Sequence, residues 1–202
     1  MFTQFSLPYL SPKELQALSH ESQCLERDAN GPKVLRLANQ DILKLFYPRK
    51  GLSLSRLYPA AIKFARNAYR LQQLGIPTVT VKQAWRLDDG VLSVLYRPVP
   101  GESLRQLTDR DPAAEAHLRS ALATFIDYLH EKGVYFRSLH LGNIILQPDG
   151  RFALIDISDM RFLRGPLRAP LVRRNRAHFE HYVKKSHLSF DCAALWQLSR
   201  NA

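Results

Sequence analysis

Two short polar stretches carry the residues whose types and spacing suit chemistry. Arg137-Ser138-Leu139-His140-Leu141-Gly142-Asn143 ends in an amide, and Asp156-Ile157-Ser158-Asp159 begins with a carboxylate. Between them Asn143-Ile144-Ile145-Leu146 and Phe152-Ala153-Leu154-Ile155 are apolar runs joined by Pro148-Asp149-Gly150, which predicts a β-hairpin. A hairpin sets its ends side by side, so Asn143 and Asp156 are expected to offer oxygen ligands to one space. Ligation by one or two protein oxygens suits a magnesium ion completed by substrate phosphates. The alternative is a pair of ordinary turn residues at strand ends.

The elements that must position these residues are also readable. Lys33 to Tyr47 shows two alternating apolar runs around Ala38-Asn39-Gln40-Asp41, a second hairpin, whose second strand carries Lys44. A basic, Gly/Ser-containing stretch follows. From Pro59, apolar residues at Phe64, Ala68, Leu71 and Leu74 predict an amphipathic helix stopped by Gly75. VTVKQAWRL and VLSVLYRPV around Asp88-Asp89-Gly90 form a third hairpin, and Pro98 and Pro100-Gly101 break the sheet. Asp111 is expected to cap a helix with Pro112 at its first position, an apolar stripe through Leu118, Leu122, Phe125, Ile126 and Leu129, and a stop at Gly133. Strand, strand, helix, strand, strand, then mainly helix is an α+β order, with a boundary expected near Arg97.

Bulk properties fit a folded chain. At 202 residues, 46% hydrophobic and 23% charged, it can bury a sizeable core. No apolar run approaches the roughly 20 residues of a membrane-spanning helix, and Met1 to Leu10 has no basic segment leading into an apolar one, so a cytoplasmic protein is expected. Cys24 and Cys192 share no metal-ligand spacing with histidines and read as ordinary buried thiols. The net charge of +11 favours an anionic partner. It concentrates in Arg161, Arg164, Arg168, Arg173, Arg174, Arg176, Lys184 and Lys185, opposed only by Glu180. That segment reads either as a solvated basic face or as a binding surface.

From about Lys33 to Met160 the chain resembles the protein-kinase-like superfamily, and more closely the small bacterial lipopolysaccharide core kinases, including proteins labelled toluene-tolerance or InaA-like. The likeness rests on Phe136-Arg137-Ser138-Leu139-His140-Leu141-Gly142-Asn143, set against an H-x-D-L-H-x-G-N loop, and on Ile155-Asp156-Ile157-Ser158-Asp159, set against an I-D-x-x-D metal site. It implies a two-lobed fold: residues 1–97 as a small antiparallel sheet with one helix, and residues 98–202 as a reduced, mainly helical lobe with the basic tail. It implies ATP and Mg2+ as cofactors, a sugar hydroxyl of an anionic glycolipid or phosphorylated sugar as acceptor, and work at the inner face of the inner membrane.

Carried over by position, the resemblance makes Lys44 the lysine on the α- and β-phosphates, Asn143 and Asp156 the metal ligands, and Arg97 to Pro100 the hinge against adenine. Four departures stand beside these matches. The catalytic aspartate falls at Ser138, the helix glutamate that pairs with the lysine falls at Asn67, and no Gly-rich loop precedes Val34. No Ala-Pro-Glu follows Asp156, and the basic tail takes the place of an activation segment. His140 is a candidate substitute base, or a structural histidine bonded to a backbone carbonyl. General-base assistance supplies about 10²–10⁴-fold, so loss of the aspartate leaves a slow kinase and a nucleotide-binding pseudokinase scaffold both open. A nucleic-acid-binding protein is the lesser alternative, because the basic segment lacks interleaved aromatics.

Overall fold

The computed structural model describes residues 7–48 and 59–199. The basic Gly/Ser stretch expected before Pro59 lies largely outside them. The chain is mixed α+β and divides into two compact units, Met1–Pro98 and Val99–Ala202.

In the first unit the elements are α1 (Pro12–Leu18), β1 (Gln23–Asp28), β2 (Gly31–Arg36), β3 (Ile42–Phe46), α2 (Ala60–Gln73), β4 (Thr80–Arg86) and β5 (Leu92–Arg97). All five strands form one antiparallel sheet in the order β1-β2-β3-β5-β4. The expected hairpins are β2–β3, with Val34 opposite Lys44, and β4–β5, with Ala84 opposite Val94. Period-two alternation sorts β3 between the faces. Leu43 and Leu45 join Leu35 and Leu37 in a core covered by Leu15 and Leu18 of α1. On the other face α2 buries Ala61, Ile62, Phe64, Ala65, Asn67, Ala68 and Leu71, a stripe at helical spacing.

Two elements here lie outside the sequence expectations. Helix α1 starts in a reciprocal capping box between Ser11 and Glu14, with Pro12 just inside. Such a cap contributes about 1 kcal/mol, and the S-x-x-E signal was present. Strand β1 reads QCLERD and is exposed at all six positions, so it carries no alternation to detect. Pairing with β2 makes it a strand. This corrects the expectation for Cys24, which is exposed on β1; Cys192 is half-buried, and burial pushes its thiol up to about 11.

The second unit runs β6 (Glu102–Ser103), α3 (Leu104–Arg110), α4 (Ala114–Glu131), β7 (Val134–Phe136), β8 (Ile144–Leu146), β9 (Phe152–Leu154), β10 (Met160–Phe162), α5 (Ala169–Lys185) and α6 (Cys192–Leu198). The β8–β9 hairpin forms as its turn residues predict, and β6 adds to its free edge. Just before β6, Gly101 sits at φ +118°, and a Cβ there would lie 2.1 Å from the Leu146 carbonyl oxygen. Only glycine allows that approach. Helix α3, also unexpected, is capped by Ser103 and Gln106. Helix α4 starts at Ala114 with Ala113 at its N-cap, later than expected, and Asp111 accepts from the Ala113 N–H in the turn that precedes it.

The basic segment is neither a loose tail nor an all-round solvated face. Its 17-residue helix α5 buries Val172, Asn175, Phe179 and Val183 along one side. Phe179 meets the rings of Phe190 and Trp196 at 5.7 and 5.4 Å. Asn175, 1% exposed, accepts from His130 Nε2 (3.0 Å) and donates to the Phe136 carbonyl (2.7 Å). One side chain thus ties α5 to α4 and to the last residue of β7. Replacing Asn175 with alanine orphans a buried ring N–H and a buried carbonyl, each costing about 1–3 kcal/mol. Asn175→Ala is therefore expected to lose about 2–4 kcal/mol in a urea unfolding experiment, far more than Arg173→Ala on the exposed face.

Candidate functional site

The short loop after β7 is built around one amide. Asn143 ends a single turn of 3-10 helix, Leu141–Asn143, and is 8% exposed. Its backbone N–H donates to the His140 carbonyl (2.9 Å), and its carbonyl accepts from Ile155 N–H (3.1 Å), which fastens the start of β8 to the residue before Asp156. Its side-chain Nδ2 donates to the Ser138 carbonyl (2.9 Å) and to His140 Nε2 (3.1 Å). Both amide hydrogens are thereby engaged, and among the described residues Oδ1 is left as the open acceptor.

Asp156 is exposed and lies in the left-handed region at φ 50°, ψ 45°. A non-glycine residue held there is uncommon, and the conformation turns the chain from β9 into the 3-10 turn Ile157–Asp159. The hairpin thus sets Asn143 beside the residue that leads into Asp156. The donor chemistry fits magnesium: one amide oxygen and one exposed carboxylate, while the nearby His140 ring has its Nε2 lone pair engaged by the Asn143 amide. Among the described residues no three His, Cys, Asp or Glu side chains gather into a metal cluster. A bound magnesium would take Oδ1 of Asn143 and the Asp156 carboxylate, draw its remaining ligands from phosphate and water, and offset phosphate charge.

His140 serves Asn143. Its Nε2 lone pair already accepts from the amide, so in the neutral ring the proton lies on Nδ1. The ring stacks on Tyr182 of α5, centroids 3.8 Å apart and planes 4° from parallel. Tyr182 Oη accepts from Arg105 Nη1 of α3 (3.3 Å). A Cβ on Gly142 would stand 2.8 Å from that phenol oxygen, so glycine leaves room for the stack. Of the two expectations for His140, the structure shows its Nε2 bonded to the Asn143 side-chain amide.

Ser138 is half-buried and has a partner that sequence spacing did not suggest. Its Oγ donates to Asp159 Oδ2 at 2.5 Å, and Arg137 Nε donates to the same oxygen at 3.2 Å. The cause is register: β10 pairs with β7 with Met160 opposite Phe136, so one step beyond the ladder Asp159 falls opposite Arg137.

The other candidates lie in the first unit. Lys44 is half-buried on the α2 side of β3, its ammonium 5.7 Å from the ring centroids of both Phe46 and Phe64. Asn67 is buried in α2, one turn beyond Phe64. Arg97 ends β5, exposed, opposite Thr80. The second unit thus brings Ser138, His140 and Asn143 into one hydrogen-bonded group with Asp156 adjacent. Lys44 and Asn67 share the helix-covered side of the first unit's sheet, and Arg97 stands at the end of β5, an interior strand.

Compared with protein-family models and with curated proteins, the chain finds no match in either.

Burial pushes the His140 imidazole below its ordinary value, opposed by the charges of Asp156 and Asp159 and aided by Arg105. His130 is lowered chiefly by burial as well, with its Asn175 bond opposing. Both rings stay neutral in the folded chain at pH values where unfolded histidines, near about 6.5, take up protons. The unfolded chain then binds more protons, so stability is full above about pH 6.5 and declines as pH falls below it. Melting temperatures measured from pH 8 down to pH 5.5 are expected to drop through this window, with a shallower drop in His130→Gln.

Proposed function

We propose that the protein is an ATP- and magnesium-dependent kinase-like protein with a two-lobed kinase-like fold, phosphorylating a sugar hydroxyl of the lipopolysaccharide core. The observation that carries this reading is the Asn143 amide. Its two N–H groups are held by Ser138 and His140, which leaves Oδ1 free for a cation beside the Asp156 carboxylate. Phosphoryl transfer depends mainly on positioning and charge compensation, and a rigid amide oxygen paired with a carboxylate supplies both. The five-stranded sheet, whose strand β3 carries Lys44 on the side facing α2, also supports it, with Lys44 holding phosphate and Arg97 near the adenine. The acceptor class comes from the family resemblance.

A second reading, a nucleotide-binding pseudokinase scaffold, is favoured by the serine at position 138, where a carboxylate would orient the acceptor. Isothermal titration with ATP and magnesium, followed by a hydrolysis assay on the same sample, separates the two: binding with turnover supports the kinase, and binding without it supports the scaffold. If neither occurs and the chain binds DNA or RNA with steep salt dependence, the nucleic-acid alternative is the better one.

No helix among the described residues is long and apolar enough to cross a membrane. A place at the inner membrane surface would instead rest on α5, whose exposed side presents Arg173, Arg174, His181, Lys184 and Lys185, while Glu180 accepts from Trp196 Nε1 at 2.7 Å. Anionic vesicles should sediment the protein at low salt and release it toward 1 M salt, where screening shortens to about 3 Å. Arg173→Glu with Lys184→Glu should abolish the low-salt binding.

For the metal site, ATP with magnesium at about 100 times its dissociation constant should stabilise the wild type by about 2.7 kcal/mol. Asp156→Ala should remove the magnesium-dependent part of that gain in a thermal-shift titration. Equal shifts in both proteins would exclude Asp156 as the ligand.

A further inference from the structure

The carboxylate absent from position 138 stands one hydrogen bond away. Asp159 reaches the loop from the turn after β9, and its Oδ2 collects the Ser138 hydroxyl at 2.5 Å and the Arg137 Nε at 3.2 Å. Its Oδ1 is buried and has no hydrogen-bond partner among the described residues, so an incoming hydroxyl cannot reach that oxygen directly. Ser138 itself is half-buried, its carbonyl pinned by Asn143 Nδ2 and its hydroxyl proton directed at Asp159. Ser138 Oγ keeps its lone pairs while its proton goes to Asp159, on a residue whose carbonyl is bonded by the amide proposed to hold the metal.

We propose that Ser138 and Asp159 form a proton relay: Ser138 Oγ takes the proton of the acceptor hydroxyl while passing its own to Asp159 Oδ2. This rests on the kinase reading and names its missing base. In the step, the acceptor oxygen bonds to the γ-phosphorus of ATP and its O–H bond breaks toward Ser138 Oγ. The Oγ–H bond to the old proton breaks toward Asp159, which becomes a carboxylic acid. The bond from the γ-phosphorus to the bridging oxygen breaks with its electron pair leaving on ADP. Asp159 returns its proton to solvent through the same hydroxyl once product has left. Ser138 is the residue that touches the acceptor, and Asp159 acts through it as a positioning residue.

Ser138→Ala removes the relay with almost no change in volume, and Asp159→Asn keeps an acceptor for the hydroxyl but no base. With water as the acceptor, phosphate release from ATP should fall about 10²- to 10⁴-fold in kcat in both, the range of general-base assistance, while KM and the dissociation constant for ATP stay within about twofold. Ser138→Thr, which retains a hydroxyl, should recover at least about a tenth of the wild-type rate. A merely structural bond would shift stability and ATP affinity together and would not sort the variants by hydroxyl. Wild-type kcat in Ser138→Ala overturns the relay while the kinase reading stands. ATP binding by the wild type without phosphate release also overturns it, in favour of the scaffold. Absence of ATP binding in the wild type removes the kinase reading and the relay together.

Discussion

An asparagine amide has two hydrogens and one oxygen, and in Asn143 each hydrogen closes a different loop. One bond returns to the Ser138 carbonyl, five residues back, and the other to the ring of His140, three back. Together with the backbone bond from Ile155, these contacts hold seven residues between β7 and β8 in one shape although none of them belongs to a strand. Everything else at the site follows from that closure. Burial lowers the His140 imidazole below its ordinary value and the ring is clamped on Tyr182, Gly142 is required where the phenol passes, and Ser138 is turned so that its hydroxyl meets Asp159.

The loop in turn hangs from a buried polar anchor. Asn175 fixes the Phe136 carbonyl immediately before Arg137, and it can do so only because α5 lies against α4 and β7. Read from its charge alone, a helix with so many cations is a solvated basic face. Its four inward residues and the aromatic contact of Phe179 with Trp196 and Phe190 outweigh the charge, which stays on the outward side where water solvates it. The basic face and the loop support are thus two sides of one element.

How far the sequence could be read depends on whether the signal was local. The β2–β3, β4–β5 and β8–β9 hairpins were legible because alternation and turn residues act over a few positions, and so were the ends of α2 at Pro59 and Gly75. Helices α1 and α3 announce themselves by capping boxes that the apolar pattern alone does not show. Strand β1 has no such signal, since its all-exposed QCLERD becomes a strand only by pairing. Asn143 and Asp156 could be placed side by side because a hairpin joins them. The contact of Ser138 with Asp159 could not, because it depends on the register between β7 and β10, two three-residue strands separated by 23 intervening residues from Arg137 to Asp159.

Strand β1 has a further consequence, which concerns labelling. The chain has two thiols of opposite accessibility: Cys24 is exposed on this edge strand, while burial holds the half-buried Cys192 almost wholly protonated near neutral pH. A maleimide dye offered at neutral pH would therefore react at Cys24 first, in a strand whose bulged register and charged Glu26, Arg27 and Asp28 already tolerate irregularity. The natural sequence thus supplies a single attachment point for a fluorophore or spin label on the first unit, with no engineered cysteine and no change to the loop that carries Ser138 and Asn143.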